Sequence, residues 1–353
     1  MLFSPLPLRD ITLKNRIGVS PMCQYSSTDG FAHDWHLVQL GGFAVGGAGL
    51  VMTEAAAVTP AGRISPQDLG VWDDAHVEFL RRITDFIHGQ GAVAGIQLAH
   101  AGRKASTLRP WDGSGTATPE RGGWTDVVAP SALPFLDTYP LPQALDEAGI
   151  AAVIDAFRAA AARALAAGFR VIELHAAHGY LLHEFLSPLA NRRTDRWGGS
   201  LENRARLILA VVDALRHAWP ERLPLLVRLS CTDWAPGGWD IEECVTLAGW
   251  LKEHGVDLVD CSSGGMVHDA VIPAAPDYQV PFAARIRRET GVATAAVGLI
   301  TEPEQAERTV AAGHADLVLL ARELLRQPHW PLLAASRLGA DVEWPVQHRR
   351  AKP

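Results

Sequence analysis

Residues Arg170 to Tyr180 read RVIELHAAHGY. The first part, RVIELHA (Arg170–Ala176), is a short apolar run without the regular alternation of a half-exposed strand. That is the pattern of a strand covered on both faces. Its penultimate residue is His175; His178 follows three positions on and Tyr180 two beyond that, in a segment containing Gly179. Polar, chemically able side chains therefore stand where a buried strand ends and a loop begins.

Seven further runs have the same character: RIGVSPM (Arg16–Met22), GLVMTEA (Gly49–Ala55), VAGIQLA (Val93–Ala99), PLLVRLS (Pro224–Ser230), DLVDCSS (Asp257–Ser263), ATAAVG (Ala293–Gly298) and DLVLLA (Asp316–Ala321). Helical patterns lie between them, most clearly at 73–90, 146–167, 201–218, 241–254 and 302–312. Four of these end in HGQG, LAAG, KEHG and VAAG, with glycine where a helix C-terminus turns left-handed. Ser200 is placed to cap the third, and Glu202 in its first turn complements the dipole. Eight strand–helix units without a break in composition predict an α/β chain folded as one (β/α)8 TIM barrel spanning 1–353. A doubly wound sheet is the competing layout, but no strand is followed by G-x-G-x-x-G.

The 353 residues are 48% hydrophobic, enough for one large core or two modest ones. A net charge of -7 with no basic stripe disfavours a nucleic-acid partner. No apolar run is long enough for a membrane span, and the opening MLFSPLPLRD has no signal-peptide pattern. The expectation is a cytoplasmic enzyme. Cys23, Cys231, Cys244 and Cys261 show no C-x-x-C spacing, which disfavours zinc ribbons and iron–sulfur clusters.

One segment, 101–142, interrupts the rhythm after the third strand. It is rich in Gly, Pro, Ser and Thr, yet carries Trp111 and Trp124. A long loop leaving the C-terminal end of a barrel strand is expected to act as a lid over the active-site face.

In a barrel the C-terminal strand ends converge on one mouth. The residues there are Ser20, Cys23 and Tyr25; Glu54 and Ala57; Gln97 and His100; His175, His178 and Tyr180; Arg228; Ser262 and Ser263; Gly298; and Arg322. Zinc on His175 and His178 would need a third ligand, and no suitable one ends another strand. A Schiff-base lysine is missing from every strand end, since the lysines are Lys14, Lys104, Lys252 and Lys352. Packing aromatics remain an open reading for the histidines. Gly298 and Arg322 suggest a phosphate cradle at strands seven and eight. A cradle surrounded by mixed donors, with no fixed nucleophile, suits a bound cofactor that carries the chemistry, and FMN fits.

The motifs PMCQYS, HAGRKA, HAAHGYLLHEFLSPLANRRTDRWGGSLENR and VQLGG…AGLVMTEA closely resemble the Old Yellow Enzyme family of FMN-dependent ene-reductases, in its bacterial xenobiotic-reductase and NADPH-dehydrogenase branch. The resemblance covers essentially the whole chain. It implies that Ser20, Pro21, Met22, Cys23, Ala57, Gln97 and Arg228 line the flavin, and that Gly298, Ala321 and Arg322 hold its phosphate. It implies that His175 and His178 hold the substrate carbonyl, that Tyr180 donates a proton, and that Tyr25 and Lys104 line the pocket. Hydride would come from NAD(P)H and pass to electron-poor alkenes, the two reactants taking turns at one site. His183 is expected to be structural. The tail, 340–353, resembles one that enters a neighbouring subunit, with Arg350 as the shared arginine of a homodimer or homotetramer. Ala321, Trp197 and His348 depart from the family's more usual Gly, Tyr and Tyr.

Overall fold

Non-alternating apolar runs can be satisfied only by a sheet covered on both sides, and the computed structural model, which describes residues 1–353, closes that sheet on itself. The barrel strands are β1 (Ile17–Val19), β2 (Leu50–Ala57), β3 (Val93–Ala99), β4 (Val171–Ala176), β5 (Leu225–Ser230), β6 (Leu258–Ser262), β7 (Ala293–Val297) and β8 (Leu317–Leu320). Each pairs in parallel with the next, and β8 returns to β1 through Val318↔Ile17 and Leu320↔Val19. The β2–β3 register shifts between Met52 and Ala55. β1 is shorter than its apolar run because Pro21 has no N–H to give a ladder.

Crossover helices cover the outside: α1 (Asp34–Val45), α2 (Val77–Gly89), α3 (Glu147–Ala166), α4 (Leu201–Ala218), α5 (Ile241–Glu253), α6 (Val280–Thr290), α7 (Pro303–Ala311) and, after β8, α8 (Trp330–Arg337). α2 shows why they bind the sheet. Its buried residues Leu80, Ile83, Thr84 and Ile87 fall at i, i+3, i+4 and i+7, one stripe of a 3.6-residue period. Each such aliphatic side chain contributes about 1.5–3 kcal/mol on burial. Asp146, Ser200 and Asp240 cap α3, α4 and α5 by accepting from backbone N–H groups of the first turn.

An antiparallel hairpin, Leu6–Leu8 with Ile11–Leu13, lies at the N-terminal end of the barrel. Arg9 fixes it there, donating to Asp257 Oδ1 (2.7 Å) just before β6 and to Gly255 O (3.2 Å). The tail lies at the same end. Asp341–Val346 face Lys14, Asn15, Gly47 and Gly89–Gly91 across a cavity of about 670 Å³. No helix is long and apolar enough to cross a membrane.

Segment 101–142 has little regular structure beyond single turns at Gly102–Lys104 and Pro119–Arg121. Trp111 meets the ring of Tyr25 edge-on at 5.8 Å. Trp124 donates from Nε1 to Ala61 O (3.1 Å), and Arg63 lies over its ring at 4.8 Å. These contacts fall on the loops after β1 and β2, at the C-terminal end of the barrel.

Candidate active site

β4 delivers His175 to the mouth, after which the chain reverses through two left-handed residues, His178 (φ +58) and Gly179 (φ +73). A side-chain-bearing residue at positive φ is costly and needs outside support. His178 N donates to Ser230 Oγ (2.9 Å), and Ser230 donates onward to Gly264 O (2.8 Å). Gly179 N donates to His183 Nδ1 (2.9 Å), whose Nε2 lies 3.0 Å from Asp233 Oδ1. Asp233 also accepts from Ser187 Oγ (2.6 Å) and Trp239 N (2.8 Å). The structural role expected of His183 thus has a concrete form: it anchors the turn that carries His178 and Tyr180.

This turn sets three rings together. His175 stands edge-on to His178 at 5.2 Å and to Tyr180 at 5.0 Å. Burial, with Arg228 nearby, holds both imidazoles well below their ordinary pKa, so both are neutral. His175 Nδ1 accepts from Ala177 N (3.3 Å), which places the ring proton on Nε2 as a free donor. His178 Nε2 lies 2.7 Å from Ser262 Oγ; when that hydroxyl donates, Nδ1 carries the proton. Burial pushes the Tyr180 phenol well above its ordinary pKa, so it keeps its proton. The arrangement can offer two neutral N–H donors and one phenolic acid to a single small molecule. No group of three His, Cys, Asp or Glu side chains is arranged to hold a metal ion.

Beneath the rings lies a polar layer inside the barrel. Gln97 donates to Glu173 Oε1 (2.8 Å), its register partner, and Arg228 Nε lies 3.0 Å from Asp260 Oδ2. Burial raises the Glu173 pKa to about 8, helped by Asp260, and raises Asp260 to about 6 against the pull of Arg228. Beyond this ion pair the Arg228 side chain has no partner in the chain, so its remaining guanidinium donors are available to a bound group. Sequence reasoning missed Glu173, Asp260 and Asp233.

Across the mouth, Gly298 has φ +107, and a Cβ there would lie 2.4 Å from Gln279 Nε2. Gln279 is pinned by Ser263 Oγ (2.6 Å) and Val297 O (2.8 Å). Ala321 begins the short helix Arg322–Arg326, and the exposed Arg322 has no acceptor or acidic partner in the chain. A glycine-only backbone beside a free arginine fits a phosphate, and Arg228 and Gln97 fit a polar ring, so the residues present suit FMN.

Ser20, Pro21, Met22 and Cys23 follow directly on β1, joined to β8 by Ser20 N donating to Leu320 O (2.9 Å). Cys23 is a free, partly buried thiol; burial, with Asp68 and Glu54, raises its pKa well above the ordinary value. Burial also raises the Tyr25 phenol. A small cavity is lined by Ala57, His175 and Tyr180 together. Lys104 reaches the same region, its pKa lowered by burial to about 8. Two candidates stand apart. His100 turns aside to accept from Gly102 N (3.1 Å), and Arg350 is exposed in the tail, away from this chain's own mouth.

Residues 1–340 match the model of the NADH:flavin oxidoreductase / NADH oxidase family. An NADPH dehydrogenase of Geobacillus thermodenitrificans (strain NG80-2) is 49% identical over 99% of this chain and 98% of its own. Among solved structures, morphinone reductase superposes with a TM-score of 0.79 at 28% identity, covering 98% of this chain and 91% of that one. An old yellow enzyme homologue from Zymomonas mobilis superposes with a TM-score of 0.79 at 26% identity, covering 98% and 94%. A 2-naphthoyl-CoA reductase reaches 0.85 at 25% identity, and there the chain covers 96% of itself but spans only 52% of the longer protein. The chain therefore belongs to the NADH:flavin oxidoreductase / NADH oxidase family and is an FMN-dependent oxidoreductase of the Old Yellow Enzyme type.

Proposed function

We propose that the protein is an ene-reductase, using NAD(P)H to reduce the activated C=C bond of α,β-unsaturated carbonyl or nitro compounds. The observation that carries this reading is the pair of neutral histidines, with His175 fixed as an Nε2–H donor, in edge contact with a protonated tyrosine. FMN, when bound, supplies hydride transfer, and Ser20, Pro21, Met22, Cys23, Ala57, Gln97, Arg228, Gly298, Ala321 and Arg322 would hold it.

The protein's own part is to manage charge and a proton. His175 and His178 donate to the substrate oxygen and stabilise the enolate or nitronate that develops there, each donor contributing about 3 kcal/mol. Their neutrality lets them donate without titrating near pH 7. Tyr180 protonates the α-carbon, and its raised pKa keeps that proton in place until the carbon becomes basic. Tyr25, Lys104 and, from a neighbouring copy, Arg350 complete the pocket. The assembly is then a homodimer or homotetramer, with segment 101–142 as the lid.

The test is anaerobic. Purified protein should show flavin absorbance that bleaches on NADPH and recovers on adding cyclohexenone. In Tyr180→Phe, bleaching should persist while recovery slows by about 10²- to 10⁴-fold. Bleaching without recovery in the unaltered enzyme would favour a nitro- or quinone-directed flavin reductase. Unchanged recovery in Tyr180→Phe would remove the tyrosine from the mechanism.

A further inference from the structure

The loops after β4 and β6 touch backbone to backbone. A Cβ on Gly179 would lie 2.1 Å from Gly265 O, and one on Gly265 would lie 2.6 Å from the His178 backbone. The carbonyls of His178 and Gly265 converge on one point, and both accept from Lys104 Nζ at 2.8 Å. Two convergent carbonyl oxygens repel each other unless a donor lies between them, and a cationic donor makes the stronger bonds. The rings of Phe135 and Tyr180 cover the same ammonium, 4.4 and 5.2 Å from their centroids. The turn that carries Lys104 is itself fixed to both loops. Arg103 N donates to Glu184 Oε1 (2.8 Å), on the short helix following Tyr180, and Arg103 Nη2 donates to Met266 O (2.8 Å).

We propose that Lys104 is a positioning residue, a cationic staple that joins the β4 and β6 loops and so holds His178 at its left-handed backbone angle, facing the substrate. The idea rests on the carbonyl-clamp reading of His178. This role goes beyond lining the pocket, because two of the three ammonium N–H groups are already committed to backbone carbonyls. His178 is then held at three points: N by Ser230, O by Lys104 and the ring by Ser262.

The experiment compares the FMN-loaded enzyme with Lys104→Met in two measurements. The first is cyclohexenone reduction by the pre-reduced enzyme. Displacing a catalytic donor by about an ångström costs on the order of 10- to 100-fold in rate. That loss should fall on the rate at saturating cyclohexenone, with KM little changed. The second is amide hydrogen exchange, where His178, Gly179 and Gly264, each bonded in the structure, should exchange at least about tenfold faster. A raised KM with an unchanged maximal rate and unchanged exchange would overturn the staple and make Lys104 a substrate ligand. Gly265→Ala, which pushes the loops apart while keeping the lysine, should reproduce the rate loss if Lys104→Met does not fold. A Gly265→Ala enzyme with normal rate and exchange would also overturn it. If the unaltered enzyme does not reduce cyclohexenone, the ene-reductase reading fails, while the exchange comparison still decides the staple.

Discussion

His100 directly follows β3, yet its ring is buried beside Gly62 and accepts from Gly102 N, with no acidic partner. Burial lowers its pKa from 6.5 to about 4. Between those values the unfolded chain holds a proton that the folded chain refuses, so stability falls as pH drops through 6.5 and stops falling near 4. The full effect is about 3 kcal/mol. His100→Asn keeps an acceptor for Gly102 N, and urea titrations from pH 7 to 4 should show a correspondingly shallower loss of stability. The residues that face the mouth were legible because a barrel puts strand ends in one place, and His175, His178 and Tyr180 carry obvious chemistry. Glu173 and Asp260 were not, since each is a single acid within an apolar run. The usable signal was spacing: they stand two residues before His175 and Ser262, on the same strand face.

At the scale of elements, all eight strands were legible from apolar runs, and α2 to α5 and α7 from their period. α1 was not, because Gly41 and Gly42 weaken its helical signal and Trp35 and Val38 put apolar surface on its exposed side. α6 follows a proline-rich stretch and has Pro281 in its first turn. The link between Asp233 and His183 joins residues 50 positions apart and exists only once β4 and β5 are neighbours. Asp233→Asn should cost about 3 kcal/mol in chemical denaturation, because it strips a fully buried partner network. Cyclohexenone turnover should fall with it as the Gly179 turn loosens. On the opposite side, Gly298→Ala puts a methyl at a left-handed position against Gln279. Fluorescence titration should then show FMN binding weakened by about tenfold or more, consistent with a strain of 1–3 kcal/mol.

At the scale of the molecule, the barrel separates two ends. The mouth carries the chemistry, and the other end carries the hairpin and the tail. Deleting 341–353 should leave the flavin spectrum intact. If the tail completes a neighbour's site, cyclohexenone kcat/KM should drop at least about tenfold while light scattering still reports the folded barrel. The abutting backbones at Gly179 and Gly265 have a consequence for how such a mouth can change. Each loop is the mould for the other, so substitutions at 178–180 will have effects that depend on what occupies 264–266. Libraries that vary one loop alone will sample mostly losses, whereas paired variation reaches new pocket shapes, and the evolutionary unit of substrate choice is the two loops together.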